Sequence, residues 1–247
     1  METTVESADG TRLAVRRHGR GEPLVLVHGS AGGLDSWDPV LPLLTEEFQT
    51  WVYARRGYAP SDGCTRAKTF ADDVADLRAV IMAAGGEARV VGGSYGATVG
   101  LHAALADGAG IRTLTVFEPP LFAAADTVAL DRYRAALTGG DLLAANRIFA
   151  ADVARFPMDV GAAAPDEAAG MLHDLEALAA DSADVARWAG IGVPVRIVQG
   201  ATTWEPMPAT MDALGVALPK ASRVVLAGQS HFASHTAPQA FAEALRW

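Results

Sequence analysis

The stretch 88–106 constrains the fold more than any other part of the chain. Residues 88–92, Ala-Arg-Val-Val-Gly, are a short apolar run of the kind a buried strand uses. Residues Tyr95–Ala106 are small and apolar all round, as a helix buried against a sheet must be. The two meet at Gly92-Gly93-Ser94-Tyr95-Gly96. A strand that reverses into a helix so quickly needs a tight, strained turn with no room for β-carbons, and glycine supplies it. Ser94 then sits at the tip of the turn, next to the opening N–H groups of a helix, which stabilise negative charge. An ordinary glycine-rich turn with a capping serine is the alternative, and the buried strand and helix on either side argue against it.

The same alternation continues on both sides. Glu22–Val27, Phe48–Tyr53, Ile111–Phe117, 195–198 and 223–226 read as strands, and 37–44 and 70–84 as helices, the second stopped by Gly85-Gly86. Strand alternating with helix predicts an α/β fold, with a mostly parallel sheet covered by helices on both faces. From 124 to 188 the pattern is helical only and alanine-rich, with breaks at Gly139-Gly140, Pro157 and Pro165. We expect residues 1–123 and 189–247 to form the core, and 124–188 a helical cap inserted before the penultimate strand.

Composition narrows the partners. The net charge of −9 disfavours nucleic acid and anionic lipid and points to a small substrate. No apolar stretch approaches the roughly 20 residues of a membrane helix, and no basic-then-apolar leader opens the chain. The lone Cys64 cannot form an internal disulfide. The expectation is a cytoplasmic protein without metal or other cofactor, with homodimer formation left open. No histidine–carboxylate spacing suggests a metal site.

Among the histidines, His231 lies in a loop after the last strand, in Ala227-Gly228-Gln229-Ser230-His231-Phe232. Such a loop reaches over the carboxyl edge of the sheet, where open α/β folds bind ligands. An imidazole there can take and return a serine proton near neutral pH. His235 is the competitor. His18, His102 and His173 fall on strand or helix faces and read as structural.

The pentapeptide around Ser94, the early His28-Gly29, Arg56-Gly57 and Gly228-x-x-His231 stand in the order found in the α/β-hydrolase superfamily, which the chain resembles over nearly its whole length. The resemblance implies Ser94 as nucleophile and His231 as base. It implies an oxyanion hole from the N–H groups of Ser30 and Tyr95, and no proton-transfer role for His28. Members commonly carry an aspartate after the penultimate strand, where this chain has Thr203 within Gly200-Ala201-Thr202-Thr203-Trp204. Glu118, which follows Ile111–Phe117 and precedes Pro119-Pro120, is the leading substitute; Glu205 and Thr203 itself remain alternatives. A glutamate at this strand, and the Gly200–Glu205 run, resemble lactonases of the zearalenone-hydrolase type. Candidate pocket walls are Tyr58, Leu121, Phe122, Phe156, Met158, Trp204, Met207 and Phe232, which would favour a small hydrophobic substrate. The expected activity is hydrolysis of a hydrophobic ester or lactone through an acyl-enzyme. The alternatives are a lyase, cyclase or cofactor-free oxygenase using the same Ser/His pair, or a non-catalytic binding protein.

Overall fold

The structure, a computed structural model, describes residues 1–64, 66–121, 127–156 and 159–247. In chain order, strand β1 (Glu2–Glu6) and β2 (Arg12–His18) form a hairpin, followed by β3 (Glu22–Val27), α1 (Leu41–Leu44), β4 (Phe48–Tyr53) and α2 (Phe70–Ala83). Next come β5 (Ala88–Gly93), α3 (Tyr95–Ala106) and β6 (Ile111–Phe117). A helical segment comprises α4 (Thr127–Thr138), α5 (Leu142–Ile148), a π-helical turn (Phe149–Val153), α6 (Pro165–Ala180) and a 3-10 turn (Val185–Gly190). The chain closes with β7 (Val195–Gly200), α7 (Met207–Ala217), β8 (Ser222–Leu226), α8 (Ala233–Thr236) and α9 (Pro238–Ala244).

The eight strands form one sheet in the order β1-β2-β4-β3-β5-β6-β7-β8. From β4 to β8 every neighbouring pair is parallel; β1 and β2 run antiparallel to each other, and β2 to β4. The predicted parallel sheet is therefore present, extended by an N-terminal hairpin that the sequence reading did not identify. That hairpin carries Arg12, Arg16 and Arg17 among its apolar positions, which blurs the period of two.

Side chains alternate across the sheet as strand geometry requires. Val25 and Val27 of β3, Val90 of β5 and Leu114 and Val116 of β6 pack under α2, α3 and α7. Leu24 and Leu26, Val91 and Phe117 point the other way, towards α1 and α9. Helix α2 opens with a capping box between Thr69 and Asp72 and is followed by Gly85 and Gly86, both at positive φ, so its expected bounds hold nearly to the residue. The helix expected over 37–44 shrinks to Leu41–Leu44, because Pro39 and Pro42 each remove a backbone donor.

The segment between β6 and β7 has a small core of its own, built from Leu130, Tyr133, Ala145, Phe149, Ala168, Met171 and Leu175 with Tyr58 from the sheet side. Gly140 at φ 76° ends α4, Asp141 caps α5 through its side chain, and Pro165 opens α6. Two of the three expected breaks thus fall at helix boundaries, while Pro157 lies outside the described residues. Among the described residues no helix is long and apolar enough to cross a membrane.

Candidate active site

Ser94 stands between β5 and α3 at φ 52°, ψ −123°. Such a conformation costs about 1–3 kcal/mol in a non-glycine residue and persists only where the surroundings impose it. They do so by contact. A β-carbon on Gly92 would lie 2.3 Å from the Gly96 carbonyl oxygen, and one on Gly96 would lie 2.3 Å from the Val27 oxygen. The Ser94 N–H donates to the Phe117 carbonyl at 2.8 Å, which ties the turn to the end of β6. The serine is partly exposed, and it lines two cavities of about 450 and 470 Å³ that share it.

Glu118 follows directly at the end of β6, kinked to φ 47° and without solvent exposure. Its carboxylate is fully engaged. Oε1 accepts the Gly200 N–H at 2.8 Å, and Oε2 accepts the Thr203 hydroxyl at 3.1 Å and His231 Nδ1–H at 2.7 Å. Because the carboxylate only accepts, Nδ1 carries the proton, and Nε2 is the ring nitrogen left with a lone pair. His231 lines both cavities with Ser94. Phe117 stacks on the imidazole at 5.8 Å between centroids, and Trp204 meets it edge-on at 5.2 Å.

The three candidates the sequence singled out are thus brought to one edge of the sheet. The alternatives take other places around it. Thr203 gives its hydroxyl to Glu118, not to the histidine. Glu205 is exposed on the rim of the second cavity. His235 lines the first cavity, but it is exposed and pairs with its neighbour Ser234.

Ser30 and Tyr95 flank the serine. Tyr95 is the first residue of α3, so its N–H has no acceptor within the helix. Ser30 lines both cavities. His28 is buried; its Nε2 accepts the Arg55 N–H at 3.0 Å and its Nδ1 donates to the Gly29 carbonyl at 2.6 Å. Burial, and then the neighbouring Arg55 charge, push its pKa down to about 3. It is a neutral brace for the loop, in keeping with the resemblance, which implied no proton-transfer role for it.

Of the expected pocket walls, Phe156 lines the first cavity, Trp204 and Met207 the second, and Phe232 both. Tyr58 and Leu121, by contrast, line neither. Tyr58 is 1% exposed and turns its hydroxyl onto Asp174 at 2.6 Å, and Leu121 packs into the main core. Phe122 and Met158 lie outside the described residues. The sequence reading missed Phe149, which lines both cavities from the π-helical turn, and Asp35, Asn146 and Glu167, polar walls of the first. Burial and the nearby Asp35 raise the Glu167 pKa. Among the described residues no group of three or more His, Cys, Asp or Glu side chains converges as a metal-ligand set.

Comparison with known proteins bears on the fold and the family. A crystal structure of an alpha/beta hydrolase from Sphaerobacter thermophilus is 30% identical, with a TM-score of 0.80 over 98% of each chain. A thermophilic esterase from Thermogutta terrifontis superposes with a TM-score of 0.83 at 19% identity, covering 100% of this chain and 97% of that one. The enol-lactonase from Burkholderia xenovorans does so with 0.76 at 20% identity, over 98% and 97%. Among curated sequences, the "Putative carbamate hydrolase RutD" of Azorhizobium caulinodans is 32% identical over 100 residues, 40% of this chain and 38% of that protein. The shared stretch is thus well under half of that relative. Residues 24–244 match the Alpha/beta hydrolase family, and the chain belongs to that family.

Proposed function

We propose that this protein is a serine hydrolase that cleaves a hydrophobic carboxylic ester or lactone through an acyl-enzyme. One observation carries the reading. The strained Ser94 and the imidazole of His231 face the same cavities, while a fully buried Glu118 carboxylate accepts a hydrogen bond from Nδ1–H of that imidazole at 2.7 Å. With Nδ1 protonated, Nε2 accepts the proton of Ser94 as its oxygen attacks the acyl carbon. The resulting imidazolium is stabilised by Glu118, and the tetrahedral oxyanion by the N–H groups of Ser30 and Tyr95. His231 returns the proton to the leaving oxygen, and water then releases the acid by the same steps in reverse order. In a lactone, both products are ends of one opened chain.

The substrate class follows from the walls. The second cavity is apolar over Leu130, Val153, Leu175, Leu178, Trp204 and Met207. It suits a hydrophobic acyl or ring portion rather than a sugar or peptide. The esterase and enol-lactonase among the solved structures of the same fold support this direction.

A fluorophosphonate probe followed by a substrate panel tests the reading. Wild type labels at Ser94, and Ser94→Ala does not label and loses several orders of magnitude in turnover while staying folded. A panel of aryl esters and macrolactones followed by mass spectrometry then shows addition of water. Labelling without any addition of water across the panel would shift the assignment to non-hydrolytic acid–base chemistry. Ser94→Ala with near wild-type hydrolysis would remove the acyl-enzyme.

A further inference from the structure

Ser30 serves the proposed reaction through its N–H alone, and Tyr95 likewise. Their hydroxyl groups, however, end on one buried cluster. Ser30 Oγ donates to Asp174 Oδ2 at 2.7 Å, and the Tyr95 hydroxyl donates to Asp73 Oδ2 at 2.7 Å. The two carboxylates are bridged by two cations. Lys68 Nζ lies 2.7 Å from Asp174 Oδ1 and 3.0 Å from Asp73 Oδ1. Arg55 is bidentate on Asp174, at 2.9 and 2.6 Å, and 3.6 Å from Asp73. Arg55 and Asp174 have no exposure, and Asp73 and Lys68 have almost none. The cluster is neutral in sum, two positive and two negative, which is what lets four charges stay out of water.

Arg55 reaches further into the loop that carries Ser30. Its Nε donates to the His28 carbonyl and its Nη2 to the Gly29 carbonyl, both at 3.0 Å. Thus the two backbone oxygens before Ser30, the Ser30 hydroxyl and the Tyr95 hydroxyl are all fixed by one set of four charged side chains. Asp174 is the member that does not belong to the sheet and its flanking helices. It stands on α6, in the segment between β6 and β7.

We propose that this cluster is the positioning frame of the oxyanion hole, and that Asp174 makes the aim of the Ser30 N–H depend on α6 being seated on the core. The inference rests on the proposed reaction at Ser94. Hydrogen-bond donors stabilise an oxyanion only when aimed where its charge develops. A carboxylate anchored by Arg55, Lys68 and Tyr58 as well as by Ser30 holds that aim better than a free serine side chain in a loop. Asp174 and Arg55 are positioning residues, since neither lines the cavities at Ser94.

The test uses Ser30→Ala, which keeps the N–H and leaves all four charges paired, so that folding is not at issue. Asp174→Asn leaves a net positive cluster and serves only as a second arm. Turnover of 4-nitrophenyl butyrate and the affinity for phenylboronic acid, which forms a tetrahedral adduct on an active serine, are measured together. In Ser30→Ala, kcat falls roughly 10- to 100-fold, KM stays within about twofold, and boronate affinity falls with kcat. Ser30→Thr, which restores the hydroxyl, recovers most of both. A purely structural bond would lower Tm without separating tetrahedral from ground-state binding. Ser30→Ala with unchanged kcat and boronate affinity, in a protein whose wild type hydrolyses the ester, overturns this inference alone. A wild type that neither hydrolyses esters nor reacts with a fluorophosphonate overturns the proposed function and this inference with it.

Discussion

At Glu118 the hydrogen bonds decide how the histidine must behave. Gly200 N–H occupies Oε1, so only Oε2 is left for His231 and Thr203. In Glu118→Gln the amide oxygen must stay on the buried Gly200 N–H, since an orphaned donor there costs about 1–3 kcal/mol. The amide NH₂ then faces Nδ1, which becomes the acceptor, and the ring proton moves to Nε2, where it blocks proton uptake from Ser94. Turnover should fall by roughly 10²–10⁴ with little change in the fold, as it does when a triad acid loses its charge. Glu205→Gln, at an exposed rim position, should change turnover by no more than about twofold. Steady-state kinetics of the two variants decide the matter; a crippled Glu205→Gln beside a mild Glu118→Gln would move the acid to the loop after β7. The pairing of Glu118 with His231 was legible in the sequence because Thr203 left a gap where a carboxylate is usual and Glu118 stood at a strand end near the serine. Asp174 was not legible. It follows His173 on a helix as an unremarkable acidic residue, and its partners lie 116, 119 and 144 residues away, at Tyr58, Arg55 and Ser30. The same distance hid the true place of Tyr58, whose ring reads as a pocket wall until its hydroxyl finds Asp174.

The strand–turn–helix units around the site were readable because each is a local pattern: an apolar run, glycines at the reversal, a cap or stop at the helix end. The segment between β6 and β7 was readable only as helical. How its helices pack depends on Phe149, Met171 and Leu175 sharing a core with Tyr133 of α4 and with Tyr58 from the sheet side, contacts that no period in the sequence encodes. We propose that this segment acts as a cap, with α6 seated by Asp174 and the stretch around Phe149 and Phe156 forming the wall a substrate meets. Phe156 is 38% exposed, lines the first cavity and touches Phe232 edge-on at 5.0 Å. Truncating it removes apolar contact from a large substrate and nothing from one too small to reach it. For Phe156→Ala, kcat/KM for a naphthyl ester should fall about 10-fold relative to that for an acetate ester, within the range one apolar contact confers. Equal losses for both esters would show that Phe156 supports the fold of the segment and takes no part in selecting substrate.

For the molecule as a whole, the buried ionisable groups set how stability depends on pH, and they act in separate windows. His28 has the widest. Burial and Arg55 hold its pKa at about 3 in the folded protein against 6.5 as an ordinary imidazole. A lowered folded value means that the unfolded chain takes up a proton the folded chain refuses. The contribution of His28 is therefore complete above pH 6.5 and is lost as pH falls towards 3. Asp174, Asp181 and Asp9 are held below the usual carboxylate value by their Arg, Lys or His partners, and Asp72 at about 2 chiefly by Arg66. Their contributions have the same sign but start to be lost only below about pH 4. Asp76 and Glu167, raised by burial, act in the opposite sense and soften the slope just above that value. Of these groups, His28 is the one that acts between pH 6.5 and 5, at up to about 1.4 kcal/mol per pH unit for one proton. Urea unfolding at intervals from pH 7.5 to 4 should show a flat region, then a decline beginning near 6.5 and steepening below 4. His28→Gln cannot charge, so its lower stability at pH 7.5 should stay level down to about pH 5 and converge on wild type there. If His28→Gln declined as steeply as wild type between pH 6.5 and 5, the proton uptake would have to be assigned to another histidine.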